Sequence, residues 1–285
     1  MNFPRKTVEA FAPAKINLTL HVTGQRADGY HLLDSLVVFA DVGDRVSCVP
    51  CPRTILTPVG PFLASVPCDG TNLVLRAKQA FAPDQTAEIW LEKNLPPASG
   101  IGGGSSDAAA TLRALSEAFD LPLPPPQDFA GLGADVPVCL LARPTRIRGI
   151  GEQLDAVPNL PPLHMVLVNP GVEVPTPGVF VALSDKTNAP MPKDLPDFTD
   201  TAALALWLGA QRNDLELPAR AIAPAIGVAL SGIKQTDGCL LARMSGSGAT
   251  CFGLFASRVE ANKARDQLAK AHPDWWIKSA SCWSL

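Results

Sequence analysis

At 285 residues the chain has room for two domains of ordinary size and a substantial hydrophobic core, which excludes wholesale disorder. Apolar residues make up 47% and charged residues 18%, and 24 basic side chains stand against 27 acidic ones; a formal charge of −3 offers nucleic acid no general attraction, so small molecules are the expected ligands. No uncharged apolar run approaches the roughly 20 residues that span a bilayer, and the N-terminus mixes Arg5, Lys6, Glu9 and Lys15 with short apolar pieces, unlike a signal peptide, so a cytoplasmic protein with no membrane partner is expected.

In chain order, residues 15–22 alternate Ile16, Leu18, Leu20 and Val22 with polar side chains, the pattern of a half-buried strand. Further strands are expected at 35–40, 44–49 and 86–91. A helix over 72–81 is capped by Asn72 and lines up Leu73, Ala77, Ala80 and Phe81. A second starts near 106, with Ser106 and Asp107 at its positive end and a stripe of Ala109, Leu112, Leu115, Ala118 and Phe119. Three prolines in 157–162 mark a boundary, giving domains 1–158 and 159–285. Beyond it come a strand at 164–169, helices at 201–211 and 220–230, strands at 239–244 and 250–255, a helix at 258–271 and a strand at 275–280, an α+β, two-domain order. Seven cysteines in a long chain point to reduced thiols. Cys48-Val-Pro-Cys51 lacks the second pair that zinc would need, since His21, His31, His164 and His272 are scattered.

The strongest chemical signal is Asn94-Leu-Pro-Pro-Ala-Ser-Gly-Ile-Gly-Gly-Gly-Ser-Ser-Asp107, a strand running through a glycine loop into a helix. Gly100, Gly102, Gly103 and Gly104 let backbone amides approach an anion, Ser105 and Ser106 add hydroxyls, and the helix N-terminus adds partial positive charge. The loop matches neither a Walker A motif, for want of Gly-Lys-Ser/Thr, nor the dinucleotide pattern. A second cluster, Met244-Ser-Gly-Ser-Gly-Ala-Thr-Cys251, reads either as another wall of the phosphate site or as a hairpin turn. Lys15 in Pro13-Ala-Lys-Ile-Asn17 and Asp135 in Gly133-Ala-Asp-Val-Pro137 carry possible catalytic groups, although each alone reads as a solvated or capping side chain.

Taken together, and in order, Ala12 to Leu18, Thr23-Gly-Gln-Arg-Ala-Asp-Gly-Tyr-His31, Asn72 to Ala77, Leu95 to Ala110, Leu132 to Pro137, Gly149-Ile-Gly-Glu152, Asn169-Pro-Gly-Val, Pro175-Thr-Pro177, Arg212-Asn-Asp214 and Met244 to Thr250 resemble the GHMP kinase superfamily. The Gly24 to His31 segment, with Pro170-Gly171 and Pro175 to Pro177, resembles the branch acting on a cytidine diphosphate sugar-alcohol in the non-mevalonate route to isoprenoid precursors. The resemblance implies an N-terminal α/β domain with a left-handed βαβ unit, a ferredoxin-like C-terminal domain, and ATP with Mg2+ as cofactors. It implies that Pro96, Pro97, Ala98, Ser99, Gly100, Ile101, Gly102, Gly103, Gly104, Ser105 and Ser106 wrap the ATP phosphates, with Asn72 and Lys93 near the adenosine and Ser106 a candidate magnesium ligand. Tyr30, His31, Thr176 and Phe180 would hold the cytidine acceptor, Asn17 would orient its hydroxyls, and Lys15 and Asp135 would be the catalytic cation and base. Siblings acting on homoserine, mevalonate or galactose, and a non-catalytic ligand-binding relative, are the competing classes. A monomer or weak homodimer is compatible with the chain. Leu121-Pro-Leu-Pro-Pro-Pro126 stands where the family has a longer helical insert, and Arg143 to Arg148 reads as a solvated basic edge.

Overall fold

The computed structural model describes residues 7–282, so Arg5 and Lys6 of the leader reading lie outside the described residues. The chain runs β1 (Val8–Asn17), β2 (His21–Gln25), β3 (His31–Pro50), β4 (Ile55–Val59), α1 (Leu73–Phe81), β5 (Ala87–Glu92), α2 (Gly103–Phe119), α3 (Val136–Leu141), β6 (Thr145–Gly149), β7 (Gln153–Ala156) and β8 (Leu163–Asn169). Then come α4 (Thr176–Ala182), α5 (Thr201–Gly209), α6 (Glu216–Ile222), α7 (Ala225–Lys234), β9 (Leu241–Met244), β10 (Cys251–Phe255), α8 (Arg258–Ala271) and β11 (Trp276–Cys282). Among the described residues no helix is long and apolar enough to cross a membrane.

By packing, the chain divides otherwise than at residue 158. One unit holds 7–14, Gly43–Pro97 and Gly102–Ala142; the other holds Lys15–Val42, Ala98–Ile101 and 143–282. Prolines mark loops, whereas packing follows the strands, and β1 and β3 each contribute residues to both units.

In the first unit β4 pairs in parallel with β5 and is joined to it through α1, while β5 runs antiparallel to the second half of β3, setting Val46 opposite Leu91 and Cys48 opposite Ile89. These inward residues meet Val74 of α1 and Ala110, Ala114 and Leu115 of α2 in one core. The two strands expected at 35–40 and 44–49 are a single strand, because Gly43 is a close approach rather than a turn: a Cβ there would lie 2.2 Å from the Ala12 carbonyl oxygen. The first strand begins at Val8 rather than 15, and β2 is separate from it. The buried positions of α1 are Val74, Ala77 and Lys78, and Ala80 faces solvent. Cys48 lies inside this core, where burial pushes its thiol up to about 12, and the Cys51 thiol donates to the Arg53 carbonyl; both are plain structural thiols.

In the second unit β11-β8-β10-β9 forms an antiparallel sheet, and the order β8, helices, β9, β10, α8, β11 is the split βαβ arrangement of a ferredoxin-like domain. Its core gathers Val166 and Val168 of β8, Ile226 and Ile233 of α7, Phe255 of β10 and Leu268 of α8. The helix expected over 220–230 is two helices, since Pro224 can neither donate to the ladder nor let Ala223 stay helical. Helix α8 spans the expected residues, fixed by a reciprocal Ser257–Glu260 capping box. The basic edge is no solvated surface at Arg146: it is buried, forks onto both oxygens of Asp34 at 2.8 and 2.7 Å, and donates to the carbonyls of Met191, Pro192 and Lys193. Arg143 and Arg148, the latter paired with Asp155, are the exposed members.

Candidate active site

In the first unit the glycine loop enters α2 three residues earlier than expected. Gly102 caps the helix at φ +65°, a left-handed angle suited to glycine, and its carbonyl accepts from the Ser106 N–H at 2.9 Å. Residues 106–112 are buried on every side, so α2 is a central helix rather than one with a single apolar stripe. Directly under its first turn lies a buried cluster of charges. The Lys93 ammonium donates to Asp44 at 2.5 Å and to Asp107 at 2.7 Å, while the other Asp44 oxygen accepts from the backbone N–H groups of Asn94 and Leu95. Burial works against the Lys93 charge, but the two carboxylates outweigh it and raise its pKa. Burial and the neighbouring Asp44 hold Asp107 up at about 8, against the pull of Lys93, and one Asp107 oxygen has no hydrogen-bond partner. A Cβ on Gly103 would sit 3.2 Å from the Lys93 nitrogen, so the ammonium abuts the glycine loop.

Asp135 stands, half buried, at the head of α3, with its carbonyl accepting from Cys139. The proline segment 121–126 leads into a tight turn of helix, Pro126–Leu132, whose Phe129 packs with Ala77, Ala108, Leu112 and Val136. Gly133 accepts from Val136, and Arg113 of α2 donates to the carbonyls of Cys139 and Leu140, so the backbone around Asp135 is held from both ends.

In the second unit Ala98–Ile101 is clasped by the other glycine cluster. Thr250 N–H donates to the Ser99 carbonyl at 3.1 Å, Ser245 Oγ to the Gly100 carbonyl at 3.0 Å, and Lys15 N–H to the Ile101 carbonyl at 2.9 Å. The contact is backbone against backbone: a Cβ on Gly100 would lie 2.4 Å from the Ser245 oxygen, and one on Gly246 2.6 Å from the Gly100 oxygen. The glycines of 244–251 thus serve a hairpin that braces the loop. Asn213 ties that hairpin through the carbonyls of Met244 and Gly246, and the Ser247 and Thr176 hydroxyls meet at 2.7 Å. Lys15 and Asn17 are buried, and the Asn17 N–H donates to Ser245 Oγ. His31 stacks on Phe180 with ring centroids 4.6 Å apart, while Tyr30 is 62% exposed. Burial first, and then the Lys186 charge, lower the His31 pKa and favour neutral imidazole, whose Nε2 is buried without a partner.

Several expected residues are committed to the protein itself. Asn72 caps α1 by accepting from Val74 and donates to Pro67, and the Lys93 ammonium lies between two carboxylates rather than standing open to a nucleotide. Ser106 is fully buried and donates to the Pro13 carbonyl at 2.6 Å. Pro96, Ser99 and Ile101 are buried, Pro97 and Ser105 half buried, and Ala98, Gly104 and Thr176 exposed. Asp44 and Ser35 escaped sequence reasoning; an acid or a hydroxyl on a strand carries no signature until its partners, tens of residues away, are known.

Two family descriptions match the chain, GHMP kinases N terminal domain over residues 72–143 and GHMP kinases C terminal over residues 193–274. A protein of Dinoroseobacter shibae named 4-diphosphocytidyl-2-C-methyl-D-erythritol kinase is 58% identical over 272 residues, 95% of this chain and 94% of that protein. The chain belongs to the GHMP kinases, in the family of the 4-diphosphocytidyl-2-C-methyl-D-erythritol kinases. A solved structure described as 4-(cytidine 5'-diphospho)-2C-methyl-D-erythritol kinase is similar at TM-score 0.76 and 34% identity, covering 96% of this chain and 99% of that one. Homoserine kinase from Cytophaga hutchinsonii shares the fold at TM-score 0.64 and 19% identity, with 100% of this chain and 96% of that one covered. Among the described residues of this GHMP kinase, no three His, Cys, Asp or Glu side chains are grouped to hold a metal.

Proposed function

We propose that the protein transfers the γ-phosphoryl group of ATP to the 2-hydroxyl of 4-diphosphocytidyl-2-C-methyl-D-erythritol, giving the 2-phosphate and ADP in the cytoplasm. The acceptor oxygen forms the new bond to phosphorus, the bond to the ADP oxygen breaks, and the hydroxyl proton passes to Asp135. Lys15 offsets the charge gathered at the transferring group, and Asn17 orients the acceptor. Residues 96–106 cradle the phosphates through backbone amides, while Asn72 and Lys93 shape the nucleotide side as structural supports. Bound Mg2+ would neutralise phosphate charge. The chemistry then asks for alignment and electrostatics rather than a covalent enzyme intermediate.

The observation that carries the choice of acceptor is the His31 ring, stacked on Phe180 with Nε2 buried and unpaired. A buried nitrogen without a partner is costly unless a ligand supplies one, and a pyrimidine offers both a ring edge to bond it and a face for Tyr30 to stack on. Homoserine, mevalonate and galactose carry no such ring. A coupled ADP-release assay with the cytidine diphosphate acceptor against those three compounds tests the reading. Turnover with the cytidine compound alone is expected; comparable turnover with any of the others would reject it.

A further inference from the structure

We propose that Ser35 is a positioning residue for phosphoryl transfer, locking the Asn17 carboxamide so that its oxygen is kept as a hydrogen-bond acceptor for a hydroxyl of the substrate. The inference deepens the functional reading above and rests on it. Asn17 Nδ2 donates to Ser35 Oγ at 2.8 Å, and Ser35 Oγ donates its one proton to the Thr19 carbonyl at 2.5 Å. Turning the amide over would set two oxygens, Asn17 Oδ1 and Ser35 Oγ, against each other with no proton between them. Redirecting the Ser35 proton to Asn17 would instead leave Ser35 Oγ and the Thr19 carbonyl oxygen facing each other bare. The neighbouring hydroxyl cannot take over, because Thr19 Oγ1 accepts from the Leu36 N–H and donates to the Met191 sulfur. Asn17, Thr19 and Ser35 are 4%, 0% and 1% exposed, so water does not relieve the choice.

With Nδ2 committed to Ser35, Asn17 Oδ1 is left buried and without a partner. A buried amide oxygen in that state disfavours the empty site and is satisfied only by a donor. A sugar-alcohol hydroxyl is such a donor; a phosphate oxygen or a phosphate ester is not. The Asn17 backbone is pinned as well, since its N–H donates to Ser245 Oγ, which in turn donates to Gly100 of the glycine loop. Side chain and main chain of Asn17 are therefore each held by one serine.

The experiment compares Ser35→Ala, Ser35→Thr and Ser35→Cys in the ADP-release assay, varying acceptor at saturating ATP and ATP at saturating acceptor. Ser35→Ala should lower acceptor kcat/KM by about tenfold or more with the KM for ATP unchanged, the scale of one misdirected buried hydrogen bond. Ser35→Thr, which keeps the hydroxyl, should recover most of that loss. Ser35→Cys fills the same space with a weak acceptor and should show the loss even if the alanine variant folds poorly. In an Asn17→Ala background Ser35→Ala should cost nothing further, because the two act as a unit. Equal losses toward both substrates, or an undiminished Ser35→Ala effect without the Asn17 side chain, would overturn the proposal and leave Ser35 a packing residue. Wild-type acceptor kinetics in Asn17→Ala would instead overturn the assignment of Asn17, and this proposal with it, while leaving the kinase activity standing.

Discussion

Asp107→Asn probes the proton held beneath the glycine loop. Burial raises the Asp107 carboxyl, Lys93 lowers it, Asp44 raises it again, and the balance lies near 8 against 3.8 in solution. Between those values the folded protein keeps a proton that the unfolded chain releases. Stability therefore falls as pH rises: the group costs nothing below its unfolded pKa, and its full penalty is reached above the folded one. One such proton gives a slope of about 1.4 kcal/mol per pH unit, so between pH 6 and pH 8 it removes on the order of 2 kcal/mol. Asparagine keeps the shape of the neutral acid and titrates nowhere. Urea unfolding of both proteins from pH 5.5 to 9 should show the variant gaining steadily on the wild type up to about pH 8 and then running parallel to it. Histidines and other groups titrating in both proteins cancel in the difference. A difference that stays flat across the range would show that Asp107 is ionised throughout and refute the account of a carboxyl that the folded chain keeps protonated.

Four other outcomes follow from particular residues. Gly100→Ala, with φ at +73° and the new Cβ driven into the Ser245 carbonyl, should cost more than about 2 kcal/mol in urea unfolding. Gly104→Ala meets only Leu73 at 3.7 Å and should be neutral or gain up to about 1 kcal/mol from helix propensity in the same measurement. Tyr30→Ala should raise the acceptor KM by about tenfold through a lost stacking contact, with the KM for ATP unchanged; equal weakening of both would move Tyr30 out of the acceptor site. Asp135→Asn should lower kcat by about two to four orders of magnitude with acceptor binding largely kept, and near-wild-type turnover would reject it as the base.

What the sequence discloses here is local. The Ser257–Glu260 box sets α8, Asn72 caps α1, and the run of glycines before Ser105 marks a loop entering a helix, because each is written in residues a few positions apart. What it hides is paired at long range. Arg146 reads as one of three bases on a wet edge until Asp34, 112 residues earlier, is brought against it. Asp107 reads as a favourable acid at a helix start, and only β3 and β5 deliver the Asp44 and Lys93 that make it part of a buried cluster. The second glycine cluster reads equally as a phosphate wall or a hairpin turn, and only the fold shows its glycines letting the backbone of the first loop pass within 3 Å. Gly43 likewise reads as a break, and is the point where β3 runs past β1 without interruption.

The bracing of the glycine loop also explains its polarity. Carbonyls of Ser99, Gly100 and Ile101 accept from Thr250, Ser245 and Lys15, and that of Gly102 from Ser106, so the acceptors along this stretch are taken up by the protein. The amides that follow, at Gly103, Gly104 and Ser105, occupy the first turn of α2, where a helix has no carbonyl of its own to offer them. Acceptors spent and donors available is the arrangement an anion needs, and it is fixed by the fold itself. Asn17 shows the reverse arrangement under the same kind of control: its Nδ2 is held by donating to Ser35 and its oxygen is left without a partner, a polarity that suits a donor. The glycine loop and Asn17 thus present opposite polarities, each set by hydrogen bonds made within the protein rather than by net charge.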